Sequence, residues 1–285
     1  MPLRDLIQTA LSSDTYSHIL VIPFVSLALV WIDRKHLFGT LDNGTLPAAA
    51  LGVAGAALGA FSWRTASAST ANDWLFLGVL SFLLFVWAGF LLVYGSSAFK
   101  AGRFPLLFLL LMLPVPGPLL DRFITWLQVG SADVTEWIFR LSGTPFLRQG
   151  LVFVLPTVSI EVARECSGIR SAQALLITCL LAGNFFLGSN SRRAVLLAAA
   201  VPMLVIKNGI RIATLTLLAV HVDPSFLTGS LHRDGGFVFF GIGLIILLPL
   251  LLWLQRTEVT QAGHNRLPST AGVYDAQSTS GAQPS

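Results

Sequence analysis

The sequence EVARECSGIRS at residues 161–171 places a polar segment directly before an apolar run at residues 172–187. The serine and glycine after Cys166 are typical of a helix start, and Arg164 and Arg170 flank the thiol. A helix N-terminus and nearby cations lower the pKa of a cysteine and favour the nucleophilic thiolate. The segment therefore predicts either a reactive cysteine or, as the alternative, a small side chain that only packs.

The composition is that of a protein that crosses a membrane many times. Of 285 residues, 54% are hydrophobic and only 11% are charged, and the mean hydropathy is +0.74. The net charge of +4 is the excess of 18 basic over 14 acidic residues, and the basic residues are scattered singly or in pairs. No basic run tracks a phosphate backbone, so we expect membrane lipid and no nucleic acid as a partner.

The two cysteines predict neither a disulfide framework nor a metal site. Cys179 lies thirteen residues after Cys166, which is about 20 Å along a continuous helix and too far for a bridge. The sequence contains no CxxC or HExxH motif and no glycine-rich phosphate loop. We therefore expect no metal and no cofactor, and we interpret Cys179 as a packing residue.

Hydropathy predicts an all-α polytopic membrane protein with about seven to eight transmembrane helices. Basic residues after the first and third runs, and Arg192 and Arg193 before the sixth, predict cytoplasmic loops. The predicted spans are residues 18–32, 46–61, 74–94, 104–120, 168–187, 194–206 and 237–256.

Three further segments fit no simple span. Residues 119–141 have amphipathic helical spacing and predict a helix on the membrane surface, broken near Gly130. Residues 151–163 alternate around Pro156 and predict a small external β-hairpin. Residues 212–220 are too short to span alone and predict a re-entrant helix near the outer face.

These segments predict one multipass domain over residues 1–256. The polar residues 257–285 that follow it predict a disordered cytoplasmic tail.

Arg211 and His232 are functional candidates because ionisable residues within apolar sequence are costly to bury. Arg211 could instead reach lipid phosphates, and His232 could cap a helix. The predicted spans place both residues on the same side of the membrane as Cys166. Together the three side chains would supply a nucleophile, an oxyanion partner and an acid or base.

Three motifs in this order resemble the exosortase and archaeosortase family: ECSGIRS at 165–171, NGIR at 208–211 and LHRDGGF at 231–237. Residues 15–24 (TYSHILVIPF) resemble the family's early YSH stretch, and residues 104–120 resemble its Pro-rich span. The similarity covers roughly residues 14–255.

The resemblance implies a membrane-embedded cysteine protease and transpeptidase, a hydrolase that acts in protein sorting. Its partners would be exported proteins with a C-terminal sorting signal, composed of a Pro-Glu-Pro type motif, a transmembrane helix and a basic cluster. Cys166 would form an acyl-thioester with the substrate, and Arg211 and His232 would divide transition-state stabilisation and acid/base catalysis between them. The site would face outward, toward the periplasm or exterior, from the cytoplasmic (inner) membrane.

Further polar residues are predicted to support or bind rather than react. His18 of the YSH stretch is predicted to be either an interfacial anchor or a residue adjoining the site, and Asn208 is predicted to orient the arginine turn. Arg164 and Arg170 could pair with a substrate glutamate, because guanidinium groups bind carboxylates bidentately. Glu161 could pair with an arginine or face solvent.

Two classes of protein compete with an enzyme at this point. Buried arginines and a Pro-broken helix could line the pathway of a transporter or channel. The sequence shows no internal repeat and no paired interrupted helices in two halves, which transporter folds often have. A non-catalytic assembly component for envelope polymer would need none of Cys166, Arg211 or His232.

Overall fold

The computed structural model describes residues 2–12, 14–39, 42–66, 70–227 and 230–264. Four segments of 3-10 helix lie at 14–20, 109–112, 164–167 and 224–227, and three strands are β1 (Leu147–Gln149), β2 (Val152–Val154) and β3 (Ser159–Glu161). The α-helices are α1 (Pro2–Ser12), α2 (Ile22–Ile32), α3 (Arg34–Leu37), α4 (Thr45–Thr65), α5 (Ala71–Ala101), α6 (Arg103–Phe108), α7 (Gly117–Leu141), α8 (Ile169–Phe186), α9 (Asn190–His221) and α10 (Ser230–His264).

The predicted all-α polytopic membrane fold is confirmed. Within the described ranges, six helical segments are long and apolar enough to cross a bilayer. A seventh span results if residues 103–112 and α7, which meet at an angle of 89°, are counted together. The six segments are Thr15–Ile32, Thr45–Thr65, Asn72–Ala101, Ile169–Phe186, Asn190–His221 and Gly235–Glu258.

One end of the helix bundle is held together by the loop between α8 and α9. The Arg192 guanidinium lies 3.5 Å from a carboxylate oxygen of Glu258 near the end of α10, and that carboxylate also accepts a bond from the Gly188 amide. Arg193 donates to the carbonyl of Leu187 at 2.8 Å. The arginines of this predicted cytoplasmic loop therefore lie together at one end of α8, α9 and α10.

Helices α7 and α9 cross at very short range because small residues lie where they meet. A Cβ added to Gly209 of α9 would lie 2.5 Å from the Cβ of Val134 on α7, and one added to Gly130 would lie 2.8 Å from Cγ1 of Val205. Thr135 of α7 also donates to the carbonyl of Gly209 at 3.2 Å. Close backbone approach through small residues is the usual basis of helix association in lipid.

The predicted hairpin is present as β2 and β3, with β1 added to give an antiparallel sheet in the order β1-β2-β3. The sheet packs on α7 through Phe153 and Phe139, whose ring centroids are 5.5 Å apart and perpendicular. Arg148 of β1 pairs with Glu136 of α7 at 2.6 Å. Gln128 of α7 donates to the carbonyl just after β3, at Val162, at 2.8 Å. Both ends of the sheet are therefore fixed to α7.

Two local predictions were wrong for identifiable physical reasons. Helix α7 is continuous through Gly130, because that glycine makes room for Val205 and does not end a helix. Helix α9 runs unbroken for 32 residues, so residues 212–220 continue a long helix and are not a separate re-entrant one. The charged Lys207 interrupts the hydropathy of α9 without breaking its backbone.

At the C-terminal end of the predicted multipass domain, α10 continues to His264, past residue 257, where the tail was predicted to begin. Residues 265–285 lie outside the described part of the chain.

We predict that Gly209→Ala destabilises the protein by about 1–3 kcal/mol, the usual cost of overpacking a fitted interface. Gly241→Ala is the matched control, because it is also a helical glycine and its added Cβ meets nothing within 4 Å. The Gly241→Ala variant should have an unchanged free energy of unfolding or be stabilised by up to about 1 kcal/mol, since alanine favours the helical conformation more than glycine does. The free energy of unfolding in SDS would measure both, and equal values for the two variants would contradict the close crossing.

Candidate functional site

The cysteine-bearing motif forms a tight turn at the start of α8. Residues Arg164–Ser167 form a short 3-10 segment, and Gly168 then adopts a left-handed conformation with φ +71° before α8 begins at Ile169. Glycine adopts this conformation without the steric cost that a Cβ imposes. The backbone of Cys166 lies within the 3-10 segment, and its side chain lies outside what the structure describes.

The turn that holds Cys166 packs directly on the NGIR motif of α9. A Cβ added to Gly168 would lie 2.5 Å from Oδ1 of Asn208 and 2.8 Å from its Cγ. Asn208 is 1% exposed, and its Nδ2 donates to Oγ of Ser131 on α7 at 2.9 Å. Asn208 therefore lies between the cysteine turn and α7, and two of the three predicted motifs are in contact.

A second contact joins the same elements through Lys207, to which the sequence analysis assigned no role. Lys207 is 1% exposed, and its Nζ donates to Oγ of Ser171 at 2.5 Å. Ser171 in turn donates to the carbonyl of Gly168 at 3.0 Å. The presence of a lysine within an apolar run was the feature of the sequence that could have pointed to this residue. Its buried bond fixes the first turn of α8 to α9.

Arg211 lies three residues after Asn208, on the same face of α9 and one turn further along. Its half-buried side chain lines a cleft of about 210 Å³ between α9 and β3. The other residues that line this cleft are Ser159, Ile160, Glu161, Ile212, Leu215, Thr216 and Leu227. The cleft thus joins the arginine motif to the strand that leads toward Cys166.

His232 is the third residue of α10, and its side chain lies outside what the structure describes. The segment before it passes close to the arginine motif, because Leu227 lines the same cleft as Arg211. The structure therefore brings Glu161, five residues before Cys166, and Leu227, five residues before His232, to the cleft that Arg211 lines. Direct contact among the side chains of Cys166, Arg211 and His232 stays a prediction.

The YSH stretch forms the 3-10 segment at residues 14–20 and packs near the cysteine turn. His18 is half-buried and hydrogen-bonds to backbone groups of Thr15 and Leu111. The buried hydroxyl of Tyr16 accepts a hydrogen bond from Nδ2 of Asn72 at 2.9 Å, and it interacts electrostatically with Arg164. These bonds anchor the stretch within the fold, and a supporting role for His18 stays a prediction.

The two arginines that flank the cysteine differ in their surroundings. Arg164 is half-exposed and pairs with Asp121 at the start of α7 at 2.6 Å. Arg170 is exposed on the first turn of α8. Pairing of either guanidinium with a substrate carboxylate stays a prediction. Among the side chains that the structure describes, no group of three or more His, Cys, Asp or Glu residues could hold a metal ion.

These features define a multipass membrane protein whose cysteine-bearing turn and the first turn of α8 are held by an asparagine and a lysine of a neighbouring helix. The model of the transmembrane exosortase family matches residues 10–249. The chain belongs to that family, as the three motifs predicted. Comparisons with curated proteins and with solved structures found no match.

We predict that Gly168→Ala damages the site more than Gly150→Ala does. Both glycines have positive φ, at +71° and +63°, so each alanine should cost about 1–2 kcal/mol of backbone strain. Only the Gly168 variant also drives a methyl group into Asn208, since the Cβ at Gly150 meets nothing within 4 Å. The rate at which iodoacetamide alkylates Cys166, in protein carrying Cys179→Ala, should change in the Gly168 variant alone. The same rate in both variants would contradict a turn held by Asn208.

Proposed function

We propose that this transmembrane exosortase is a cysteine transpeptidase that cleaves the C-terminal sorting signal of exported proteins. The substrate would present a Pro-Glu-Pro type segment, an apolar helix and a basic cluster. The reaction would take place at the outer face of the cytoplasmic membrane.

The observation that carries this proposal is the contact between Gly168 and Asn208. It fixes the backbone two residues beyond Cys166 against the helix turn that precedes Arg211. A catalytic nucleophile needs a charge-stabilising partner held at fixed distance, because preorganised groups act without reorganising during the reaction. Packing of two rigid helices supplies that preorganisation better than a surface loop would.

In the proposed reaction, the thiolate of Cys166 attacks the carbonyl carbon of the scissile peptide bond. The carbon–nitrogen bond breaks, the leaving amine takes a proton from His232, and the substrate remains as an acyl-thioester. An acceptor amine then attacks the thioester, loses a proton to His232 and releases the thiolate. The product is a new amide on the sorted protein.

Arg211 is the proposed oxyanion partner. Its guanidinium stays protonated at any working pH and offers planar donors, which suits stabilisation of a tetrahedral intermediate. The half-buried position of its side chain in the cleft supports this role, since hydrogen bonds and charges act more strongly away from bulk water. An imidazole titrates near neutral pH and therefore suits the proton transfers assigned to His232.

We predict that Cys166→Ala abolishes processing and that Cys179→Ala, the matched control, processes normally. Cys179 is 4% exposed within the hydrophobic core of α8, so its truncation should cost about 1 kcal/mol of stability and no chemistry. The assay is cleavage of an exported reporter protein that ends in a Pro-Glu-Pro segment, an apolar helix and a basic cluster. Processing at the wild-type rate by the Cys166→Ala protein would contradict the proposal that Cys166 is the nucleophile of a cysteine transpeptidase.

A further inference from the structure

Strand β3 lies at an edge of the sheet, beside the cleft that Arg211 lines. Its ladder with β2 includes bonds from the Leu155 amide to the Val158 carbonyl and from the Val162 amide to the Leu151 carbonyl. In an antiparallel pair, residues alternate between those that bond to the partner strand and those that do not.

That alternation directs the backbone groups of Ser159 and Glu161 away from β2, toward the cleft. Within the part of the chain that the structure describes, no backbone hydrogen bond joins either residue to a further strand or loop. An edge strand with open amides and carbonyls is a ready template for another extended chain. Two donors and two acceptors thus face the same space as the Arg211 guanidinium.

We propose that an extended segment of the substrate protein binds by adding a fourth strand to the outer edge of β3. This proposal rests on the proposed function and names how that site holds its substrate. The segment would exchange main-chain bonds with Ser159 and Glu161, as in other cases of strand addition. Arg211 would donate from the opposite wall of the cleft to carbonyl oxygens of the same segment.

The cleft chemistry favours a peptide over a lipid chain. Alternating amides and carbonyls match only another polypeptide backbone, whereas an acyl chain would leave them unbonded at a cost. The wall formed by Ile212, Leu215 and Leu227 is apolar, so it can accept alternate side chains of an extended segment.

The position of β3 in the chain also supports this arrangement. Cys166 lies five residues beyond Glu161, which is at most about 18 Å of extended chain. A segment bound along β3 would therefore lead toward the cysteine turn. A Pro-Glu-Pro sequence fits an added outer strand, because the glutamate can bond to β3 while both prolines face away, where no amide hydrogen is needed.

Disulfide capture tests the proposal without depending on activity. In a protein carrying Cys166→Ala and Cys179→Ala, we would introduce Ser159→Cys and scan a single cysteine through the Pro-Glu-Pro region of the reporter. The expected result is capture at every second reporter position, since side chains of a bound strand alternate. Gln149→Cys, on the β1 edge of the same sheet, is the matched control and should capture none.

Any result other than capture by Ser159→Cys at every second reporter position would contradict strand addition. Equal capture by Ser159→Cys and Gln149→Cys would indicate random collision, and capture at helical spacing would indicate a docked helix. Disulfide-linked dimers of the chain itself, in place of capture of the reporter, would show that the edge pairs with a second copy. Absence of capture, while the wild-type protein cleaves the reporter, would overturn strand addition and leave the proposed function intact.

A proline substitution gives the corresponding functional readout. Glu161→Pro removes an amide that faces the cleft and leaves the bonds of β3 to β2 in place. We expect the variant to reach the wild-type level in the membrane and to cleave the reporter at least about tenfold more slowly, through lost bonds and steric exclusion. Cleavage at the wild-type rate would refute the proposal.

Discussion

The crossing of α7 and α9 is the constraint on which the rest of the structure depends. Gly130 and Gly209 let the two helices approach so closely that added methyl groups would overlap Val205 and Val134. In lipid there is no hydrophobic force between helices, so such fitted van der Waals contact must hold them together. The sheet is attached to α7 and the arginine motif lies on α9. The crossing therefore sets the distance between them, and with it the width of the cleft.

Buried polar groups then orient the cysteine turn on this frame. Asn208 bonds to Ser131 and presses against Gly168, while Lys207 bonds to Ser171. Polar groups removed from water are costly unless they are hydrogen-bonded, so these contacts admit few alternative arrangements. The αL conformation of Gly168 completes the turn. Such a turn has the preorganisation that the proposed reaction would require.

Hydropathy and motif spacing were sufficient to predict the multipass fold, the family and the position of the hairpin, because long apolar runs and alternating residues have direct structural meanings. The continuity of α7 was not predictable, because a glycine can either end a helix or admit a neighbour, and only Val205 shows which. The continuity of α9 was not predictable because Lys207 interrupts the apolar run without interrupting the helix. The role of Lys207 depends on Ser171, which lies 36 residues away in sequence. Contacts between residues so far apart in the sequence cannot be predicted from local sequence patterns.

The most direct test of the central claim is whether Cys166 carries the substrate during the reaction. The purified protein would be incubated with the reporter in membranes without an acceptor amine, and the mass of the protein would then be measured. We predict a covalent adduct on Cys166 that contains the reporter sequence before the cleaved bond and is released by hydroxylamine, as a thioester is. Cleavage of the reporter with no adduct, or with an adduct on another residue, would contradict the account.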